Sequence, residues 1–230
     1  MIIDKNKIFT VTIDGPAASG KSTTARFVAE KMNWLYLDTG AMYRALTVKV
    51  LRNQVSLDDK EKIGTIADQT TIELMPSKEG IQVLLDGDDV SGQIRTPEVD
   101  KAVGPVCEVD RVRAVMVDLQ RKLAEKESVI AEGRDMGTVV FPDADMKFFM
   151  VASIKDRAIR RQKDMERQGI DVSIEDLMKD IERRDKRDSN RAISPLTRAK
   201  DAILLDTTKL NINQQVDFVI NYIQQIKGNG

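Results

Sequence analysis

Residues 15–22 read GPAASGKS, which fills every fixed position of G-x-x-x-x-G-K-[ST]. No other stretch restricts the fold as tightly, because such a loop works only where a buried strand ends and a helix begins. Both flanks meet that demand. IFTVTI (8–13) is a short β-branched run, and KSTTARFVAEKM (21–32) puts Phe27, Val28 and Met32 at helical spacing. A glycine-rich turn with a surface lysine is the plain alternative. In the strand-loop-helix setting, residues Gly15, Pro16, Ala17, Ala18, Ser19, Gly20, Lys21, Ser22 and Thr23 form a cradle for anions. Its backbone N–H groups point inward and the helix N-terminus adds partial positive charge. Gly15 and Gly20 permit the tight path, Lys21 reaches β and γ phosphates, and Ser22 offers a hydroxyl to Mg²⁺. The motif implies a nucleoside triphosphate and leaves open what is done with it.

The rest of the chain alternates strand and helix patterns. WLYLD (34–38) reads as a second strand and AMYRALTVKVL (41–51) as a helix with Met42, Leu46 and Val50 on one face. SVIAE (128–132), MKFFMVA (146–152) and AILLD (202–206) are continuous apolar runs expected of central parallel strands. NQQVDFVINYIQQI (213–226) closes as a helix with Val216, Val219, Ile220, Ile223 and Ile226 aligned. Between about 63 and 95 the texture changes to short segments joined by turn residues, with a Pro-Ser-Lys-Glu-Gly turn at 76–80, which predicts an inserted antiparallel sheet. Residues 96–127 return to helix. Residues 153–191 are almost all charge, with two helical stretches broken near RQGIDVS.

These patterns predict an α/β fold: a three-layer P-loop core of about five parallel strands, a small inserted antiparallel sheet and a helical lid. The expected domains are core at 1–37, an acceptor region at 38–112, core at 113–154, lid at 155–188 and core at 189–230.

Composition removes several chemistries. With no histidine and a single cysteine, Cys107, there is no histidine general base, His-rich zinc site, thiolate cluster or intramolecular disulfide. Cys107 reads as a half-buried spacer. The 36 basic and 37 acidic side chains nearly cancel, so neither a nucleic-acid nor a membrane partner is expected. The N-terminus lacks a charged-then-apolar leader pattern and no apolar run approaches a bilayer span, so the expected location is cytoplasmic.

Charge is concentrated in two places. VIAEGRDMGTVVFPDAD (129–145) ends an apolar run on Glu132, Arg134 and Asp135, and Glu132 is placed like a strand-end acid of a Mg²⁺ shell. A solvated turn is the competing reading. Nine arginines fall between residues 157 and 198, mixed with as many acids. A solvated helical pair laced with ion pairs would look similar. Arg184, Arg187, Asp188 and Arg191 recur at three- and four-residue intervals, which predicts one side of a helix. With a phosphate cradle in the same chain, the pair is expected to close over phosphates and exclude water.

Six ordered blocks, TIDGPAASGKST, YLDTGAMYRAL, DVSGQIRTPEV, AEGRDMGTVVFPDAD, RDKRDSNRAISPL and LLDTT, together resemble one family over nearly the whole chain. It is that of the bacterial cytidylate (CMP) kinases, of the nucleoside monophosphate kinase fold. The resemblance implies transfer of the γ-phosphoryl of ATP to CMP or dCMP with Mg²⁺, by a monomer. Other P-loop small-molecule kinases, with UMP, AMP or shikimate as acceptor, or a non-kinase switch, are the alternatives. The resemblance implies that Asp38, Thr39, Gly40, Tyr43 and Arg44 line the acceptor pocket, with Arg44 on the acceptor phosphate. Arg113 and Asp135 would face the cytosine edge, and Gly133 would let the nucleotide approach. Arg134, Arg184 and Arg191 would clamp phosphates, and Asp188 would hold the acceptor sugar or its arginine partner. Arg160 or Arg161 would reach ATP from the lid.

The chain departs from the family pattern twice. Gly104 stands where the family commonly carries a base-contacting serine. Glu132 stands where the family usually has aspartate, which moves the strand-end charge by about one methylene.

Overall fold

The computed structural model describes residues 7–77, 80–167 and 169–228, so the expectations for the N-terminal six residues and for the tip of the 76–80 turn lie outside the described residues. Compactness divides the chain into two units, one of Met1–Tyr36 with Lys126–Gly230 and one of Leu37–Glu125.

The first unit is built on a five-stranded parallel sheet of order β2-β6-β1-β7-β8. Its strands are β1 Thr10–Asp14, β2 Leu35–Asp38, β6 Val129–Gly133, β7 Met146–Val151 and β8 Ile203–Asp206. The strands β3 to β5 belong to the second unit. Every residue of β6 is buried, which is why its sequence is a continuous apolar run rather than an alternating one. Helices α1 Lys21–Met32 and α8 Ile212–Gly228 cover the sheet. Val28 and Ala29 of α1 and Val216, Val219 and Ile223 of α8 close on Val11, Ile13, Ile130, Phe148 and Met150. Phe148 meets Phe218 and Tyr222 edge-on, at 6.4 and 6.1 Å between ring centroids. Trp34 lies half-buried against this core, stacked on Phe9.

Strand register places the chemistry. On β1 and β6, Ile13 is level with Glu132 and Asp14 with Gly133, so the phosphate loop and the charged run leave the sheet side by side at its C-terminal edge. Open α/β sheets bind ligands at that edge. Beyond β6, Met136–Val140 forms one turn of π-helix. The Asp135 carbonyl accepts from the N–H groups of both Val139 and Val140, at 2.9 and 3.2 Å.

Helices α6 Ile154–Glu166 and α7 Ile174–Asn190 form the charged pair. Each begins with a serine cap, Ser153 and Ser173, whose hydroxyl accepts from the N–H three residues on. A small apolar seam of Ala158, Leu177 and Ile181 joins them. Arg191 lies past the end of α7 with extended backbone, so the expected four-residue stripe on one helix stops at Asp188.

In the second unit, α2 Thr39–Arg52 buries Met42, Leu46 and Val50 as expected. The antiparallel sheet of β3 Ile72–Ser77, β4 Gly80–Leu85 and β5 Asp88–Asp89 is narrower than the 63–95 interval expected. Residues 60–68 form helix α3 instead, capped by Asp59, because Ile63 and Ala67 bury one helical face. A Cβ at Gly64 would come 2.7 Å from the Arg111 side chain, so α3 lies close to α5 Asp110–Leu123. Helix α5 groups with this unit, whereas the sequence division began a core segment at 113. Cys107 ends α4 Pro97–Cys107, half-buried.

Candidate active site

The phosphate loop leaves β1 through Gly15, whose φ of 153° lies where glycine is favoured. A Cβ there would sit 2.2 Å from the Met150 carbonyl oxygen, so no other residue fits. Gly20, at φ 97°, caps α1. The loop is held from outside. Arg157 donates to the carbonyl of Ala17 at 3.2 Å, and Arg160 donates to that of Ser19 at 3.1 Å. The buried hydroxyl of Thr207 also donates to the Ser19 carbonyl, at 2.8 Å. Carbonyls tied outward in this way leave the loop's N–H groups to face an anion.

Lys21 and Ser22 converge on Glu132. The Ser22 hydroxyl donates to Glu132 Oε1 at 2.8 Å, and Lys21 Nζ stands 3.9 Å from Oε2 while donating to the Pro16 carbonyl at 3.2 Å. Burial, then the charge of Arg134, pulls the Lys21 pKa from 10.5 to about 7, against the opposing pull of Glu132. Its folded value lies below its unfolded one, so in the ligand-free protein this group adds stability as pH rises from about 7 toward 10.5. Phosphate oxygens beside it would favour the charged form again. Binding of Mg²⁺–ATP at pH 8 is therefore expected to take up close to one proton, read from the dependence of calorimetric enthalpy on buffer ionisation enthalpy. Proton-neutral binding would contradict this picture of Lys21.

Among the described residues no three acids or cysteines gather as a metal cage. The Ser22 hydroxyl and the Glu132 carboxylate are a hard oxygen pair at the phosphate loop. That donor set fits Mg²⁺, which keeps waters and takes substrate phosphate oxygens for its remaining positions.

Arg134 follows two residues after Glu132, and its Nε donates to Asp188 Oδ2 at 2.7 Å. Burial works to lower the Arg134 pKa, but Asp188 outweighs it and holds the guanidinium above its ordinary value. Burial likewise works to raise Asp188, and Arg134, Arg184 and Arg191 together hold it below. Arg184 acts electrostatically on both Lys21 and Asp188. Arg191 donates to the Asp188 carbonyl at 3.4 Å, and its Nη2 is buried with no hydrogen-bond partner among the described residues. Arg160 is held by Thr207 as well as by Ser19. Arg161 is half-buried on the same helix.

Acceptor-side candidates in the second unit are pre-ordered. Asp38 Oδ1 caps α2 by accepting from Ala41 N–H at 2.9 Å, and Oδ2 stands 3.4 Å from Arg95. Thr39 and Tyr43 are buried, and Gly40 is exposed beside Asp38. Arg44 is fixed by the Ile94 carbonyl at 3.0 Å and Asp100 at 2.5 Å. Arg113 is buried with its guanidinium 5.7 Å from the Tyr43 ring centroid.

Four contributors went unnoticed in the sequence. Arg157 is buried and paired with Asp185 at 2.6 Å, hidden among look-alike surface arginines. Thr207 and Arg95 sit in the LLDTT and QIRTPEV blocks without a signal of their own. Asp14 ends β1, and an acid closing an apolar strand just before a glycine loop was the signal available.

A β-strand that ends in a loop shaped for phosphates, with a buried lysine and arginines gathered behind it, defines a P-loop phosphotransferase. An uncharacterized protein from Eubacterium ventriosum shares the fold at TM-score 0.52 and 16% identity, over 94% of this chain and 98% of that one. The chain belongs to the cytidylate kinase family, whose profile matches residues 11–225. It is 48% identical over 217 residues to the cytidylate kinase of Desulforamulus reducens, covering 94% of this chain and 97% of that protein. The cytidylate kinase of Bacillus subtilis is 45% identical over 219 residues, covering 95% and 98%.

Proposed function

We propose that this protein transfers the γ-phosphoryl group of ATP to CMP or dCMP, giving ADP and CDP or dCDP, and that it acts as a monomer. The observation that carries the reading is the convergence of Lys21 and Ser22 on Glu132, with the Arg134–Asp188 pair acting on the same lysine. The reading assigns no general base to the positive charge gathered at the phosphate loop. An acceptor phosphate with a second pKa near 6 is already largely dianionic at neutral pH and needs none.

Catalysis in this reading is alignment and charge neutralisation. Lys21 follows the transferring group, while Arg134, Arg184 and Arg191 take the oxygens that gain charge, and Asp188 holds Arg134 in place. Ser22 and Glu132 hold Mg²⁺, which neutralises phosphate charge when bound. Gly133 leaves room for the nucleotide. Arg44 takes the acceptor phosphate, Arg113 and Asp135 read cytosine, and Asp38, Thr39, Gly40 and Tyr43 complete the acceptor's surroundings. Arg160 and Arg161 belong to the ATP side, and α6 with α7 serves as a lid that excludes water. No described helix is long and apolar enough to cross a membrane.

Phosphorus NMR of the protein with ATP, Mg²⁺ and CMP tests the reading, with CDP and ADP as the expected products; unchanged CMP would refute it. Arg44 supplies a finer test. Arg44→Ala is expected to raise KM for CMP about tenfold or more, the loss of one charge-assisted contact, with KM for ATP within about twofold. An unchanged KM for CMP would remove Arg44 from the acceptor site.

A further inference from the structure

Asp14 is buried at the end of β1, and its role is not accounted for by phosphate binding. Its two carboxylate oxygens each accept one backbone N–H, Oδ1 from Met136 and Oδ2 from Gly137, both at 2.8 Å. Those two residues open the π-helical turn and directly follow Arg134 and Asp135. The charged run is thus strapped at both ends. Glu132 is tied to Ser22 at one, and Met136–Gly137 is tied to Asp14 at the other. Gly137 permits the close approach, since a Cβ there would come 3.0 Å from Thr12 Oγ1 and 3.1 Å from Lys147.

We propose that Asp14 is a positioning residue for acceptor recognition: by holding the Met136 and Gly137 N–H groups it sets Arg134 and Asp135 beside the phosphate loop. The inference rests on the reading of Asp135 as a cytosine contact and of Arg134 as a phosphate clamp. Its environment makes the strap sensitive to protonation. Burial raises the Asp14 carboxyl from 3.8 to about 6, opposed by the two backbone N–H groups. Asp135 raises it further and Lys21 on α1 lowers it. Its register neighbours, Gly133 on β6 and Phe149 on β7, carry no charge. The ionised carboxylate accepts both N–H groups fully at neutral pH, and protonation converts one oxygen to a donor.

Two measurements test this. In the ligand-free wild type, the amide NMR signals of Met136 and Gly137 are expected to titrate together with a midpoint near 6. Free protein is used because the acceptor phosphate itself titrates in that range. In steady-state assays, Asp14→Asn, which keeps the volume but loses one acceptor, is expected to raise KM for CMP about tenfold with KM for ATP within twofold. The amide inflection should vanish in that variant. A side chain with only a structural role would lower thermal stability and leave the ratio of the two KM values alone. Gly137→Ala, which disturbs the strap from its other end, is expected to show the same split should Asp14→Asn fail to fold. Amides that do not titrate, or KM values for CMP and ATP that move together, would overturn the proposal. If CMP were not the acceptor the kinetic arm would fail while the amide titration persisted, which separates an error about Asp14 from an error about the function.

Discussion

Lys21→Met is expected to lower kcat for CMP phosphorylation by about 10²–10³-fold, with a melting temperature no lower than that of the wild type. The two halves of this result have one cause. Lys21 is buried, and burial together with Arg134 makes its charged form costly in the empty site. Methionine keeps the stem and removes an amine whose charged form is costly to bury without a phosphate partner. In the proposed reaction, phosphoryl transfer would give that charge a partner, because charge spreads onto the phosphoryl oxygens. The loss should therefore fall on the turnover number. A rise in KM for ATP alone, at unchanged kcat, would mean that Lys21 binds ATP and transition state equally.

Asp188→Ala is expected to cost about 1.5–3 kcal/mol of folding stability, the range for a charge-assisted hydrogen bond lost from a half-buried pair. Arg134 and Asp188 are 17% and 14% exposed, and the 2.7 Å contact between them is charge-assisted. Removing the carboxylate leaves three arginines, Arg134, Arg184 and Arg191, without the anion they share. The pH dependence has a definite sign. The folded pKa of Asp188 lies below its unfolded value, so its contribution is complete above that unfolded value and fades as pH falls through the folded one. The stability gap between wild type and variant, measured by urea titration, should narrow in acid and be widest near neutrality. Added ATP should recover part of the loss, since phosphates give the arginines a new partner. A variant as stable as wild type at pH 7 would contradict the assignment of this pair as the organiser of the clamp.

Strand-loop-helix order around GPAASGKS was legible because a phosphate loop demands it, and the apolar runs at 128–132 and 146–152 are of the kind expected for central strands, which they form. The helix at Lys60–Asp68 was not legible, since Ile63 and Ala67 are few apolar letters among charges and the neighbouring turn residues pointed to sheet. The π-helical turn was hidden for a different reason. Met136–Val140 carries no local turn signal, and its first N–H is held by Asp14, 122 positions away in the chain. Among the site residues, motif members were visible by spacing alone. The arginines were not separable: Arg183 and Arg167 make exposed ion pairs, while Arg157 is buried against the phosphate loop, and nothing in their letters distinguishes them.

The identity of the acceptor decides what this kinase does. ADP formation measured with ATP, Mg²⁺ and each of CMP, dCMP, UMP, AMP, GMP and shikimate in turn tests it most directly. The expected result is rapid turnover with CMP and dCMP and far weaker turnover with AMP, GMP and shikimate. Rates with CMP and dCMP no greater than with buffer alone would contradict it.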